Sequence, residues 1–439
     1  MKYYSTNRQV APVSLRTAVI KGLASDNGLF MPGSVQPFGD GFFEGIQHFS
    51  FQEIAFAVAL RFFGDDIDRQ HLHQIVNETL SFDCPIVPIK PGIWSLELFH
   101  GPTLAFKDVG ARFMARMLRY FLKDNHTTVN VLVATSGDTG SAVANGFLGV
   151  EGINVFVLYP SGKVSDIQEK QFTTLGQNIT AIEVDGTFDD CQRLVKLAFM
   201  DQDLNDRFLL TSANSINVAR FLPQSFYYFN AYARLKESGI LKDNELVFAV
   251  PSGNFGNLTA GLFAREMGLP VSRFLAANNE NDVVYQYLQT GEYLPKSSVE
   301  TLANAMDVGA PSNFARILDM YGQSHDRISS IMKGYRFSDE EITGIIRRVY
   351  QETGYLLDPH GACGFAALEQ NLAGNEAGVF LETAHPAKFL DTMEKIAGEG
   401  IVTLPEALRK FQQGKKEAVP MSSDFSDFRN WLVNRLMCS

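Results

Sequence analysis

From Ile93 onward the chain alternates short apolar, strand-like runs with stretches of helical periodicity, and this alternation leaves few folds open. It is the signature of βαβ units, so the expected class is α/β, with open, mostly parallel sheets covered by helices. The runs 129–134, 153–159, 179–184 and 209–211 read as strands, and 141–148, 164–174 and 188–200 as helices between them. A long helical stretch spans about 217–236. Strands resume at 246–250 and 273–277, and the last clear one is 378–383. A chain of 439 residues exceeds what one core usually holds, so two such lobes are expected. The divisions read from the sequence are an N-terminal helical subdomain at 1–90, a first lobe at 91–213, a second at 214–400 and a C-terminal helical extension at 401–439. In the N-terminal part, Ile54, Ala55, Val58, Ala59 and Phe62 make one apolar face of a helix at 51–63.

Ligands of such sheets bind beyond the carboxyl ends of the strands. Three motifs fall there, and a fourth precedes a helix. In His100-Gly-Pro-Thr-Leu-Ala-Phe-Lys107, the turn Gly101-Pro102 stops an extended segment, and Val109, Phe113, Met117, Leu118 and Phe121 follow at helical spacing. Lys107 therefore sits in a first helical turn, where the macrodipole disfavours an ammonium. If Leu104 and Phe106 exclude water as well, the neutral amine is favoured, which is the form that condenses with a carbonyl. An exposed lysine at a helix start is the plainer alternative.

The loop Gly253-Asn-Phe-Gly-Asn257 follows an apolar run and precedes a helix at 258–267, so its amides and the helix N-terminus suit a phosphate. A tight turn without a ligand fits the same residues. No Gly-Lys-Ser/Thr follows, which argues against a nucleotide P-loop. Ser136-Gly-Asp-Thr-Gly140 makes a similar turn fit for a carboxylate, with Ser136 and Thr139 as binding candidates and Asp138 expected as a helix cap. Thr383 ends a strand before His385-Pro386.

Together these segments resemble threonine synthases, pyridoxal-phosphate enzymes of the tryptophan-synthase fold type (fold type II). The resemblance is carried by the Lys107 segment, the Ser136–Gly140 turn, the Gly253–Asn257 loop and Thr383-Ala-His-Pro-Ala-Lys388, and it runs from Asp26-Asn-Gly-Leu-Phe-Met-Pro32 to about Phe389. It implies that Lys107 holds pyridoxal 5'-phosphate as a Schiff base and later carries protons. It implies too that Gly253, Asn254, Phe255, Gly256 and Asn257 bind the cofactor phosphate, the Phe255 ring packing while its amide binds. Thr383 would meet the pyridine nitrogen, and the Ser136 loop would grip the amino acid's carboxylate. The implied reaction converts O-phospho-L-homoserine and water to L-threonine and phosphate. For the substrate's phosphate, Lys163, Asn217 and Arg220 are candidates by placement, and Arg112 could serve an anion or its own helix. A related dehydratase or phospho-amino-acid lyase shares the lysine and phosphate loop, and a non-catalytic anion-binding protein could retain the fold.

The net charge of −11 argues against nucleic acid and anionic membranes as partners, though not against a small phosphorylated substrate. Cys84, Cys191, Cys363 and Cys438 are far apart, so buried free thiols are expected, with neither zinc nor disulfides. His71 and His73 have the wrong spacing for one helix face, and no metal site is expected. With no signal core at the N-terminus and Arg61 ending the apolar run from Ile54, the chain reads as cytoplasmic, a monomer or homodimer.

Overall fold

Residues 1–123 and 128–437 are described by a computed structural model. Its strands form two large sheets. The five-stranded sheet is parallel throughout, in the order Val419–Ser422, Ile179–Asp185, Ile153–Pro160, Val129–Ala134, Leu209–Ser212. The six-stranded sheet runs Met332–Arg336, Arg273–Asn278, Glu245–Pro251, Glu376–Glu382, Ile93–Glu97, Ile86–Lys90, with only the last pair antiparallel. All six residues of Val129–Ala134 are buried, as are the last six of Glu245–Pro251. Such strands read as continuous apolar runs because helices cover both faces. The α/β class with two mostly parallel lobes is therefore the observed one.

The N-terminal subdomain holds a small antiparallel sheet of Val13–Ser14, Lys2–Ser5 and Phe30–Pro32, which its weak strand signals did not reveal. Its helix Phe51–Phe63 has the expected bounds, and Ser50 and Glu53 close a capping box at its start. His71 bonds the side chain of Asp68, while the His73 ring packs edge-on against Phe56.

The sequence divisions do not follow the sheets at two places. Ile93–Glu97 pairs with Gly378–Glu382 and so lies in the sheet of the second lobe, not the first. Val419–Ser422 extends the sheet of the first lobe, and the helix Phe425–Met437 buries Phe428 and Leu432 against Leu132, Phe156 and Ile182. The final segment is thus part of a core and not a helical appendage. The stretch at 217–236 is also broken, into Val218–Phe221, a 3-10 turn Leu222–Gln224 and Ser225–Glu237, with Pro223 inside the break. Cys84, Cys191 and Cys363 are buried free thiols, and burial pushes the Cys191 thiol up to about 12. Cys438 lies outside the described residues. No helix among the described residues is long and apolar enough to cross a membrane.

One crossing positions the site. The chain leaves the six-stranded sheet at Glu97 and enters the helix Lys107–Leu122, which packs on Asp138–Phe147 of the other lobe. Lys107 stands where the two lobes meet.

Candidate active site

The Lys107 segment is laced to the end of the last strand by backbone bonds. Phe106 N donates to Thr383 O at 2.9 Å, and His385 N to Leu104 O at 3.1 Å. Leu104 adopts a left-handed backbone (φ 56°), and the Thr103 amide and hydroxyl both bond buried Asp108. These ties fix Lys107 and Thr383 on the wall of one cavity, shared with Ser136, Thr139, Arg220 and the loop Gly253–Asn257. Lys107 is the first residue of its helix, as expected. Burial lowers its ammonium to about 8, with Arg220 and Lys388 acting in the same direction and Asp138 against them. A lysine so placed is a good nucleophile near neutral pH.

Among the described residues, the amides of 253 to 257 donate no internal hydrogen bond. They precede and open the helix Gly256–Glu266, where backbone N–H groups and the dipole favour an anion. Phe255 adopts φ 61° and its buried ring packs edge-on against Phe314, which leaves its amide turned to other use. Gly253 is glycine for a reason the motif did not reveal: a Cβ there would lie 2.6 Å from Ala305 O and 2.8 Å from Met306 Cα. The side chains of Asn254 and Asn257 are committed to the protein. Asn254 bonds Ser215 Oγ and the Ser312 amide, and Asn257 donates to Pro251 O at 2.7 Å. The cradle consists of backbone.

In the second loop, the helix Asp138–Phe147 is capped by Thr135, whose Oγ1 accepts from Gly137 N at 2.9 Å and Gly140 N at 2.8 Å. Capping by Asp138 is therefore corrected. Asp138 is buried, accepts from Gln168 Nε2 at 2.8 Å and pairs with Lys388 Nζ at 2.7 Å. Burial alone would raise its carboxyl, but Lys388 and Lys107 outweigh that and hold it at about 2. Ser136 and Thr139 both line the cavity.

Of the candidates for a third anion, Arg220 is in the cavity. It is 3% exposed, its Nη1 donates to Lys107 O at 3.1 Å, and its Nε has no partner among the described residues. Burial lowers the guanidinium to about 10. Gln224, beside it, carries a buried Oε1 without a partner among the described residues. Lys163 is exposed and lines an adjoining cleft that shares Ser136 and Phe188 with the cavity. Asn217 is not a binding residue here. Its carboxamide donates to Val19 O and Ser212 O and caps Ala219, so no polar atom is left for a ligand. Arg112 serves its own neighbourhood through Glu78 O, Thr79 O and Ser81.

Two cavity residues, and Lys388 in the adjoining cleft, escaped the sequence reading. Ser215 accepts from Asn254 and Asn313, and binds the two segments of the cradle together. His360 Nδ1 lies 2.6 Å from Asp358 Oδ1 and its Nε2 accepts the Ala305 amide, so both ring nitrogens of this wall residue are occupied. Asp358-Pro359 is a helix-start signal that could have found it. Lys388 lay within a quoted motif, and its apolar neighbours Ala387 and Phe389 were the available sign of burial.

A lysine with a depressed pKa, an unsatisfied amide cradle and a strand-end hydroxyl on one wall fit pyridoxal phosphate. The fold and the site define a pyridoxal-phosphate-dependent enzyme of fold type II. A family described as "Pyridoxal-phosphate dependent enzyme" matches residues 84–381, "Threonine synthase N terminus" matches 2–80 and "Threonine synthase, C-terminal" matches 361–431. Threonine synthase of Escherichia coli K12 is 42% identical over 434 residues, 99% of this chain and 100% of that one. The crystal structure of an E. coli threonine synthase superposes with a TM-score of 0.93 at 41% identity, covering 99% of this chain and 100% of the other. Threonine synthase from Brucella melitensis, solved with PLP bound, gives 0.90 at 34%, covering 99% of each. The chain belongs to the threonine synthase family, and it is a pyridoxal-phosphate-dependent lyase.

Proposed function

We propose that this chain converts O-phospho-L-homoserine and water to L-threonine and phosphate at the cavity between its two sheets. The observation that carries this reading is the presence of three anion-receptive groups around one reactive lysine. These are the amides of 253 to 257, the turn at Ser136 and Thr139, and the Arg220 guanidinium, whose Nε has no partner among the described residues. A cofactor phosphate takes one, and an amino acid bearing both a carboxylate and a phosphate accounts for the other two. Threonine synthases from E. coli and B. melitensis are similar along nearly the whole chain, which supports the same assignment.

In this reading Lys107 holds the cofactor, the loop 253–257 binds its phosphate through backbone amides, and Thr383 offers a neutral hydroxyl to its ring nitrogen. The bound cofactor supplies an electron sink for charge developing next to the substrate's amino group. The chain supplies the rest. The Lys107 amine, made easier to deprotonate by burial, takes and returns protons at the α- and β-carbons. Ser136 and Thr139 hold the carboxylate at a helix start, and Arg220 receives the leaving phosphate with its free Nε–H. Lys163 stands in the adjoining cleft, at the rim and not in the pocket itself. A working unit of one or two copies and a cytoplasmic setting belong to the same proposal, and the buried free thiols suit a reducing compartment.

The test is the product formed when the protein, supplied with pyridoxal phosphate, meets O-phospho-L-homoserine. Threonine with equimolar phosphate supports the assignment. Phosphate with 2-oxobutyrate, or no phosphate release, refutes it.

A further inference from the structure

Asp138 and Lys388 form a buried ion pair that joins the two lobes beside Lys107. The carboxylate comes from the start of the helix behind Val129–Ala134, and the ammonium from the turn Pro386–Phe389 behind Glu376–Glu382. The oxygen and nitrogen are 2.7 Å apart, with side-chain exposures of 2% and 0%. Further bonds close the arrangement. Gln168 Nε2 donates to the same carboxylate oxygen at 2.8 Å, and Ser165 Oγ lies 3.0 Å from both Gln168 Oε1 and the Lys388 carbonyl. Lys388 Nζ also donates to Thr103 O at 2.8 Å, in the turn that presents Lys107.

A buried ion pair is a poor device for stability, since a well-packed apolar pair often does as well. Its position points to another use. Asp138 lies within Coulombic range of Lys107, and its charge favours the ammonium there. It also opens the helix that Ser136 precedes and whose first turn carries Thr139, where a bare carboxylate would repel an anionic ligand. Arg220 acts on Lys107 in the same direction as Lys388, against Asp138, and Asp108 and His385 lie near Lys388.

We propose that Lys388 is a positioning residue for the reaction: its ammonium, locked onto Asp138 between the lobes, keeps that carboxylate from capturing Lys107 and from repelling an anionic substrate. The pair thereby makes three motifs act together, the Lys107 segment, the Ser136 loop and the Thr383–Lys388 turn. The proposal rests on Lys107 as the reactive lysine.

The test is competitive labelling of the full-length, cofactor-free protein with trace acetic anhydride across a pH series, reading Lys107 by peptide mass spectrometry. Lys388→Met should raise the Lys107 midpoint by about one pH unit, and Asp138→Asn should lower it by a similar amount. The double variant should return to within about half a unit of the parent. With cofactor and O-phospho-L-homoserine, Lys388→Met should raise KM by a larger factor than it lowers kcat, with the pH optimum moved to higher pH. Asp138→Asn keeps acceptors for Lys388 and Gln168, so it decides the matter by the sign of its shift should Lys388→Met fail to fold. Coincident midpoints, or an upward shift for Asp138→Asn, overturn the proposal. A parent Lys107 that titrates at the ordinary 10.5 would instead count against Lys107 as the reactive lysine.

Discussion

Replacing Arg220 by methionine should make the cofactor-free protein more stable and the enzyme worse. The guanidinium is buried, its Nη1 bonds the Lys107 carbonyl, and its Nε is without an acceptor among the described residues. Burial brings it well below the usual guanidinium range, to about 10. A fall of that size corresponds to roughly 3 kcal/mol of unfavourable charge burial at neutral pH, where the group is protonated both folded and unfolded. Losing the bond to Lys107 O returns about 1 kcal/mol. Methionine keeps most of the volume, so Arg220→Met should gain roughly 1–2 kcal/mol in denaturant titrations of the cofactor-free chain. In the proposed role of Arg220 the same change removes a charged donor from the substrate's phosphate, about 1.5–3 kcal/mol, and should cut kcat/KM by roughly 10- to 150-fold. A variant destabilised by several kcal/mol with unchanged kcat/KM would refute the reasoning and make Arg220 a structural arginine.

Other expectations follow from the same geometry. Because Lys107 is lowered to about 8, capture of pyridoxal phosphate by the cofactor-free chain should quicken about tenfold per pH unit below that value and level off above it, as stopped-flow absorbance would report. Its contribution to stability has the matching sign: from about 8 to 10.5 the unfolded chain holds a proton that the folded chain has released, so this lysine's contribution grows as pH rises through that window. Gly253→Ala drives a methyl to 2.6 Å from Ala305 O, so the two loops must part. A cost of roughly 1–3 kcal/mol and weaker retention of cofactor on dialysis are expected. Leu432→Ala empties a fully buried site under the five-stranded sheet and should cost about 2–5 kcal/mol in chemical denaturation, which a detachable C-terminal extension would not show.

What the sequence made legible was whatever depends on local period and punctuation. Buried parallel strands such as Val129–Ala134 are continuous apolar runs, and the Gly-Pro turn before Lys107 announces a helix start. Pairing decided far along the chain was not legible. Nothing in Ile93–Glu97 says that its neighbour is Gly378–Glu382, and the two-residue alternation of Val419–Ser422 is too short to separate from its helical surroundings. At the site, backbone roles were easier to read than side-chain roles. The 253–257 loop is a cradle because of where its amides are, and glycine spacing reports that. Asn217 was misread because a carboxamide behind a strand looks the same whether it meets a ligand or caps its own helix, as it does here at Ala219. Asp138 was misread because Thr135 already performs the capping, and its true partner, Lys388, belongs to the other lobe.

Lys107 is the lysine on the cavity wall, and the buried Lys388 in the adjoining cleft is the competing amine tied to the same turn. Borohydride reduction of the cofactor-loaded protein, followed by peptide mass spectrometry, fixes the cofactor to whichever amine holds it. The adduct is expected on Lys107 alone, with none in Lys107→Ala. An adduct on Lys388, or an unchanged yield in Lys107→Ala, would contradict the account.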